Sequence, residues 1–310
     1  MFSALTEPHY PSAAIGLEKD TVTALSLRRE GKGRFGLERA ATVEIPAHLL
    51  TPSFLDRNIS SADEFRYILS EAVTNAGLAN QKRWSVSLPS NTARAAILTL
   101  ESVPASNAEA EEVLDWKAEQ IFGAPAGELR ITRQKIAPDR EKHARYFATA
   151  VKLSVIDEYE TVFESMGWKT GLILPRIVSE SRWLLDGNQK DSLLISSQDD
   201  GFTALLLREG EPRVVRSVTC SGTEVDDEIY RLLMFYNDRF GDRESPRFLD
   251  SLMVVGEMFD SARIKSISTE AIGKALEILR PEDLGLSLPT SELNFHEVAA
   301  PGGLAALGFR

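Results

Sequence analysis

Apolar positions in the first part of the chain fall into three extended runs separated by polar turns. "AAIGLEKD" leads into "TVTALSLRR", and "RFGLERAATVEIP" follows the Gly31–Gly33 turn, which predicts a β meander over 14–50. From Ser61 the period changes: Phe65, Ile68, Leu69 and Val73 recur at helical spacing, and Gly77 supplies a stop signal. "RWSVSLPS" then reads as a short buried strand ending in a proline turn.

Beyond Asn91 the rhythm differs. "RAAILTL" reads as a strand, and Asn107 can cap a helix over "AEAEEVLDWKAEQIFG" that closes at Gly123. "ELRITRQKIA" and "ARYFATAVKL" form a predicted hairpin around the polar Pro138–His143 turn. In "SVIDEYETVFESMGW" the apolar residues Val155, Ile156, Tyr159, Val162, Phe163 and Met166 predict an amphipathic helix, and "KTGLILP" a closing strand. A second meander, "SLLISSQDDGFTALLLREGEPRVVRSVTC", repeats the opening pattern. The helix "EVDDEIYRLLMFYNDRFG", the strand "SLMVVGE", the helix "STEAIGKALEIL" and the small-residue tail "AAPGGLAALGF" follow it. A meander leading into helices, present twice, predicts an α/β chain of two lobes on one plan with an α+β insert in the first. The expected boundaries are 1–90 with 171–190 for the first lobe, 91–170 for the insert and 191–310 for the second lobe.

Composition narrows the partners. A net charge of −11 and a pI near 5.0 exclude the clustered basic surface that nucleic acid requires. Phosphate ligands stay open, because loop amides bind them without basic side chains. Cys220 is the only cysteine, so no intrachain disulfide forms, and a reducing compartment is expected. "MFSALTEPHYPS" lacks the basic cluster and apolar core of a secretory leader. No run approaches the roughly 18–20 apolar residues that cross a bilayer. The expected setting is the cytoplasm, with membranes met through a partner and without direct insertion.

Conventional catalytic signatures are missing. The histidines, His9, His48, His143 and His296, are scattered, none at metal-ligand spacing from another. There is no Gly-x-Ser-x-Gly, no Walker A lysine loop, and no local signature around Cys220. The acidic runs "EAEE", "SQDD" and "VDDE" read as solvated faces.

The order and spacing of "IGLEKDTVTALSL", "LPSNTARAAILTLESVPASNAEAEEVLDWKAEQIF", "YFATAVKLSVIDEYETVFESMGW", "SLLISSQDDGFTALLL", "VVRSVTCSGTEVDDEIYRLL" and "GGLAALGFR" resemble the actin-like ATPase superfamily over nearly the whole chain. The detail is most similar to the PilM group of type IV pilus assembly, and the cytoplasmic part of GspL shares the plan. The resemblance implies an actin-like, ribonuclease H-like two-lobed fold. In that family the first phosphate loop reads Asp-x-Gly followed by small polar residues and a lysine. Glycine there lets amides approach phosphate, and the carboxylate orients Mg²⁺.

Against that pattern Glu18 stands at the carboxylate position, Asp20 replaces the glycine, and no lysine follows in the strand. In the second loop the motif aligns with Ser196, Ser197 and Gln198, while Asp199, Asp200 and Gly201 come a few residues late. Gly256, Glu257 and Met258 stand where an adenine-site Gly-Gly is usual. Acids beside a polyphosphate repel it by about 1 kcal/mol per pair in water. The expectation is a degenerate nucleotide site, no cofactor and no enzymatic activity. The alternative is a working ATPase or phosphotransferase holding ATP and Mg²⁺ through Glu18, Asp20, Asp199, Asp200, Gly201, Thr203, Gly222 and Gly256.

The resemblance also implies partners. PilM-like proteins hold the N-terminal cytoplasmic peptide of a membrane-anchored PilN protein in a groove between the first lobe and the insert. GspL-like domains instead contact a secretion ATPase. The candidate anchors here are Trp116, Ile121 and Phe122 on the insert helix, with Tyr146 and Phe147 on the adjacent strand.

Overall fold

The computed structural model describes residues 9–185, 191–240, 249–289 and 293–309. The stretch over 1–8 of the leader reading and the expected boundary at 190 lie outside them. In chain order the elements begin with β1 (Ala13–Leu17), β2 (Thr21–Gly31), β3 (Arg34–Glu44), α1 (Ala62–Asn75) and β4 (Arg83–Leu88). Then come β5 (Arg94–Leu100), α2 (Asn107–Phe122), β6 (Leu129–Ile136), β7 (Ala144–Lys152) and α3 (Leu153–Ser165). Next are β8 (Lys169–Pro175), α4 (Arg176–Leu185), β9 (Asp191–Gln198), β10 (Gly201–Arg208) and β11 (Glu211–Thr219). The chain closes with α5 (Val225–Phe240), β12 (Leu249–Val255), α6 (Ser261–Ile272), β13 (Leu286–Ser287) and α7 (Phe295–Ala306).

One compact unit takes in the described residues of Met1–Ala93, Lys152–Arg182 and Gly285–Arg310. Its sheet runs β13-β3-β2-β1-β4-β8. β1, β2 and β3 pair antiparallel, whereas β4 joins β1, and β8 joins β4, in parallel. Parallel neighbours need a crossover connection, usually a helix. Here α3 supplies it, packing against α1 and β8. The strand "KTGLILP" therefore returns to the first sheet, and the inserted segment is Arg94–Val151, shorter than its sequence pattern suggested.

The small-residue tail also belongs to this unit, away from the second lobe where the pattern had placed it. α7 packs on β1, β2 and β4 with Ala299, Ala300, Leu304, Ala305 and Ala306 buried. The approach is close enough that glycine is required on both sides. A Cβ at Gly16 would lie 2.8 Å from the Pro301 ring, and one at Gly303 would lie 2.1 Å from the Ser179 carbonyl oxygen. The 50s loop is held by a buried amide. Asn58 Oδ1 accepts from Thr92 Oγ1 and the Tyr159 hydroxyl, each at 3.0 Å, and Asn58 Nδ2 donates to Ser53 O and Asp56 O, each at 2.8 Å.

The other unit takes in the described residues of Arg94–Val151 and Trp183–Leu284. It contains a three-stranded sheet, β5-β7-β6, and a four-stranded sheet, β11-β10-β9-β12. α2 packs against β5 and buries Leu114, Ala118 and Phe122, an i, i+4, i+8 stripe. Its cap is Ser106, whose Oγ accepts from Glu109 N at 3.1 Å, one residue before the Asn107 expected from the sequence. Leu193, Ile195, Phe202, Ala204 and Leu206 of β9 and β10 form a core with Ile229, Leu232 and Leu233 of α5 and Ile264 of α6. α6 ends well before Leu279, where the sequence pattern ran to. Asp260 caps its start, accepting from Ala262 N at 2.8 Å, and Gly273 (φ +71°) ends it.

Candidate functional site

The first loop is the tight turn between β1 and β2. Glu18 N donates to Thr21 O at 2.9 Å, and Asp20 O accepts from Ile45 N at 2.6 Å, so main-chain bonds tie the turn to its strands. Asp20 and Lys19 are exposed. Glu18 turns inward. Its Oε2 lies 2.7 Å from Arg176 Nη1, and Arg176 Nε lies 2.7 Å from Oε1 of Glu180. Arg176 Nη1 also reaches Ser90 Oγ at 3.3 Å. The Arg176 side chain is 9% exposed and that of Glu180 is 0% exposed, so a guanidinium is buried between two carboxylates at the end of the sheet.

A carboxylate read as a cation ligand is thus already engaged by a cation of the same unit. Sequence reasoning passed over both Arg176 and Glu180. Their i, i+4 spacing directly after Pro175 was the available signal.

The second loop is the β9–β10 turn. Asp199 and Asp200 are exposed, and Asp200 O accepts from Cys220 N at 2.9 Å. Gly201 has φ +145°, and a Cβ there would stand 1.9 Å from Val218 O, so this glycine serves the β10–β11 pairing. Thr203 is buried, its Oγ1 bonded to Gln198 Nε2 at 2.6 Å and to Ser217 Oγ at 3.1 Å. Gly256 has φ +130°, and a Cβ there would meet Ser197 Oγ at 2.0 Å. Of the three candidate glycines, Gly222 alone is exposed with open space where a Cβ would stand.

The field around this loop is negative. Burial, followed by the carboxylates of Glu228, Glu224 and Asp200, pushes the Cys220 thiol pKa up, which makes it a poor nucleophile. Among the described residues, no three His, Cys, Asp or Glu side chains gather to hold a metal.

The candidate partner anchors divide between surface and core. Trp116 is 58% exposed and Ile121 48% exposed, whereas Phe122 is 1% exposed and Phe147 9%. Phe122 and Phe147 are packing residues and present no surface to a peptide. Tyr146 is half-buried on β7 and stands opposite Leu98, so strand alternation puts it on the other face of the sheet from Phe147. Trp116 and Ile121, five positions apart, point about 140° apart around the helix. The exposed stripe that carries Trp116 is polar and acidic, with Glu109, Glu112 and Gln120.

Two antiparallel meanders, each extended by a parallel strand on the far side of its first strand, define the actin-like α/β fold; an α+β segment is inserted between β4 and α3. The fold class is the one the sequence pointed to, although Arg94–Val151, expected as an insert of the first lobe, groups with Trp183–Leu284. Among solved structures the chain is similar to a chain of the PilM–PilN type IV pilus biogenesis complex, with a TM-score of 0.74, 15% identity, and 98% of this chain and 100% of the other covered. It is also similar to a Bacteroides thetaiotaomicron protein with an actin-like ATPase fold and unknown function, with a TM-score of 0.47, 12% identity and coverage of 96% and 98%. A third likeness is to the cytoplasmic domain of EpsL, an inner membrane component of the Vibrio cholerae type II secretion system, with a TM-score of 0.49, 10% identity and coverage of 96% and 94%. The first of these shows a PilM-like fold; the other two are too distant to add to it. No family model and no curated protein sequence matches the chain.

Proposed function

We propose that this protein is a docking scaffold of the PilM type, holding the N-terminal cytoplasmic peptide of a membrane-anchored PilN-like partner. In this reading it works on the cytoplasmic side of the membrane, without ATP turnover. The observation that carries it is Glu18. The carboxylate of the first loop is spent in a buried ion pair with Arg176, inside a fold that is PilM-like over its full length. Gly201 and Gly256 support it, since both are accounted for by close packing within their own unit. Trp116 and Ile121, the exposed apolar residues of α2, are the anchors on offer to the peptide, with the half-buried Tyr146 of β7 as a third candidate.

Titration with a synthetic N-terminal peptide of a PilN-like protein from the same genome, where one is encoded, tests the proposal. Saturable binding that Trp116→Ala weakens is the expected result, and none at up to about millimolar peptide would sink it. Mg-ATP supplies the competing outcome. A ligand that prefers the folded state raises apparent stability, so a clear thermal shift with Mg-ATP, abolished by Asp20→Ala or Asp200→Ala, would establish a working nucleotide site instead.

A further inference from the structure

The chain carries a net charge of −11, yet four arginines gather within one compact unit. Arg145 lies on β7, Arg213 on β11, Arg239 in the last turn of α5, and Arg140 in the β6–β7 turn. They are tied through main-chain carbonyls. Arg145 Nη2 donates to Arg213 O at 2.8 Å, and Arg140 Nη2 donates to Arg239 O at 3.1 Å. Arg213 Nη1 reaches Ala137 O and Pro138 O, each at 3.5 Å.

The acids nearby are committed elsewhere. Glu211 Oε2 accepts from Ala137 N at 2.8 Å and is 4.0 Å from Arg213 Nη2. Asp139 Oδ1 accepts from the amides of Glu141 and His143, and its Oδ2 is 2.9 Å from His143 Nδ1. Glu141 is 3.6 Å from the same ring nitrogen.

Arg145 is half-buried and forms no ion pair with any described residue, and its Nε and Nη1 have no hydrogen-bond partner among them. These nitrogens are not sealed from solvent either, unlike the buried Nε of Arg213. The Arg239 side chain is exposed and likewise bonded to no described residue. Burial, then the guanidinium of Arg213, holds the Arg145 pKa below its ordinary value, with Arg239 acting in the same direction against Asp139 and Glu211. A half-buried cation beside the guanidiniums of Arg213 and Arg239, with one hydrogen bond and no ion pair among the described residues, is an arrangement that an anion relieves.

We propose that Arg145, Arg239 and Arg140 form a binding site for a phosphate group. The number of forks selects the chemistry. A carboxylate offers two oxygens and matches one guanidinium, whereas a phosphate monoester or diester can be gripped by several from different directions. Here the guanidiniums come from a strand, a helix end and a hairpin turn. The inference is independent of the docking role and of the two loops, and its residues take no part in either. The phosphate can belong to a small soluble ligand or to the headgroup of an anionic lipid.

The test uses the full chain with inorganic phosphate, compared with chloride at matched ionic strength, read by thermal shift and calorimetry. Vesicles of phosphatidylglycerol with phosphatidylcholine, compared with phosphatidylcholine alone, are read by co-sedimentation. Arg239→Ala and Arg140→Ala replace exposed side chains and preserve the fold, while Arg145→Gln removes the central donor. Saturable phosphate binding weakened at least about tenfold in Arg239→Ala and Arg145→Gln supports a soluble ligand. Arg239-dependent binding to the anionic vesicles alone supports a headgroup. Either result upholds the site. If wild type binds neither probe, or if Arg239→Ala and Arg140→Ala bind as wild type does, the arginines are straps between strands and the proposal falls.

Discussion

The two meanders share a pattern, and each has an arginine–carboxylate joint at the opposite end from the other's. In the first unit Arg176 sits at the β1–β2 turn, bonded to Glu18 and Glu180. In the other, Arg208, the last residue of β10, pairs with Asp191, the first residue of β9, at the end remote from the β9–β10 turn. There Arg208 Nη2 reaches Asp191 Oδ2 at 2.6 Å, and the Tyr236 hydroxyl donates to the same oxygen at 2.9 Å. The Arg208 guanidinium also lies 5.1 Å from the Phe240 ring centroid. The first turn has its carboxylate absorbed into the core, while the second keeps Asp199 and Asp200 on the surface. One strand plan can therefore tie a first-turn carboxylate into its unit or leave the acids of the corresponding turn at the surface.

Breaking the joint at the first turn should have the largest effect. Arg176→Ala removes the Arg176 ion pair from the fully buried Glu180, and we expect a loss of about 3–5 kcal/mol in urea or thermal unfolding. Replacing both partners, Arg176→Met with Glu180→Leu, should recover most of that loss, because a buried pair exchanged for apolar groups of similar volume is often neutral. A double variant as unstable as the single one would show that the pair is not the source.

At the far end of the other sheet the effect should be smaller. Arg208→Ala should cost about 2–3 kcal/mol, since Asp191 keeps the Tyr236 hydroxyl, and Tyr236→Phe about 1 kcal/mol. Equal losses from these two variants would contradict the assignment of Arg208 as the main partner.

The glycines sharpen the contrast at the second turn. Gly201→Ala should destabilise by about 1–3 kcal/mol through a strained backbone and the clash with Val218 O, while Gly222→Ala should change stability by less than about 0.5 kcal/mol. The reverse order, seen by differential scanning calorimetry, would mean that Gly201 is not held by the β10–β11 pairing.

The smallest effect is expected on β4. The hydroxyls of Ser85 and Ser87 are buried without a hydrogen-bond partner among the described residues, and these residues stand opposite Ala14 and Gly16 of β1. Ser87→Ala should leave the melting temperature unchanged or slightly higher, since it removes an unsatisfied buried group. A clear loss would point to a partner for that hydroxyl.

Local pattern carried much of this structure. The strands of both meanders, α1 with its Ser61 cap, α2 closed by Gly123 and the hairpin around Pro138–His143 are written in short-range periodicity and turn residues, which act within a few residues of each other. The resemblance to the actin-like superfamily, and not the periodicity, set Asp20 against the glycine of a usual phosphate loop and found no lysine in the strand that follows. Local pattern could not show to which sheet "KTGLILP" returns, or that the small-residue tail packs on β1, because strand pairing and helix docking join residues far apart in the chain. Nor could it separate Trp116 from Phe122, since a helix of low amphipathicity does not announce which face is buried. Above all, it left Glu18 as a candidate ligand. Only tertiary structure brought Arg176 to it from 158 positions away, because a charge finds its partner through space.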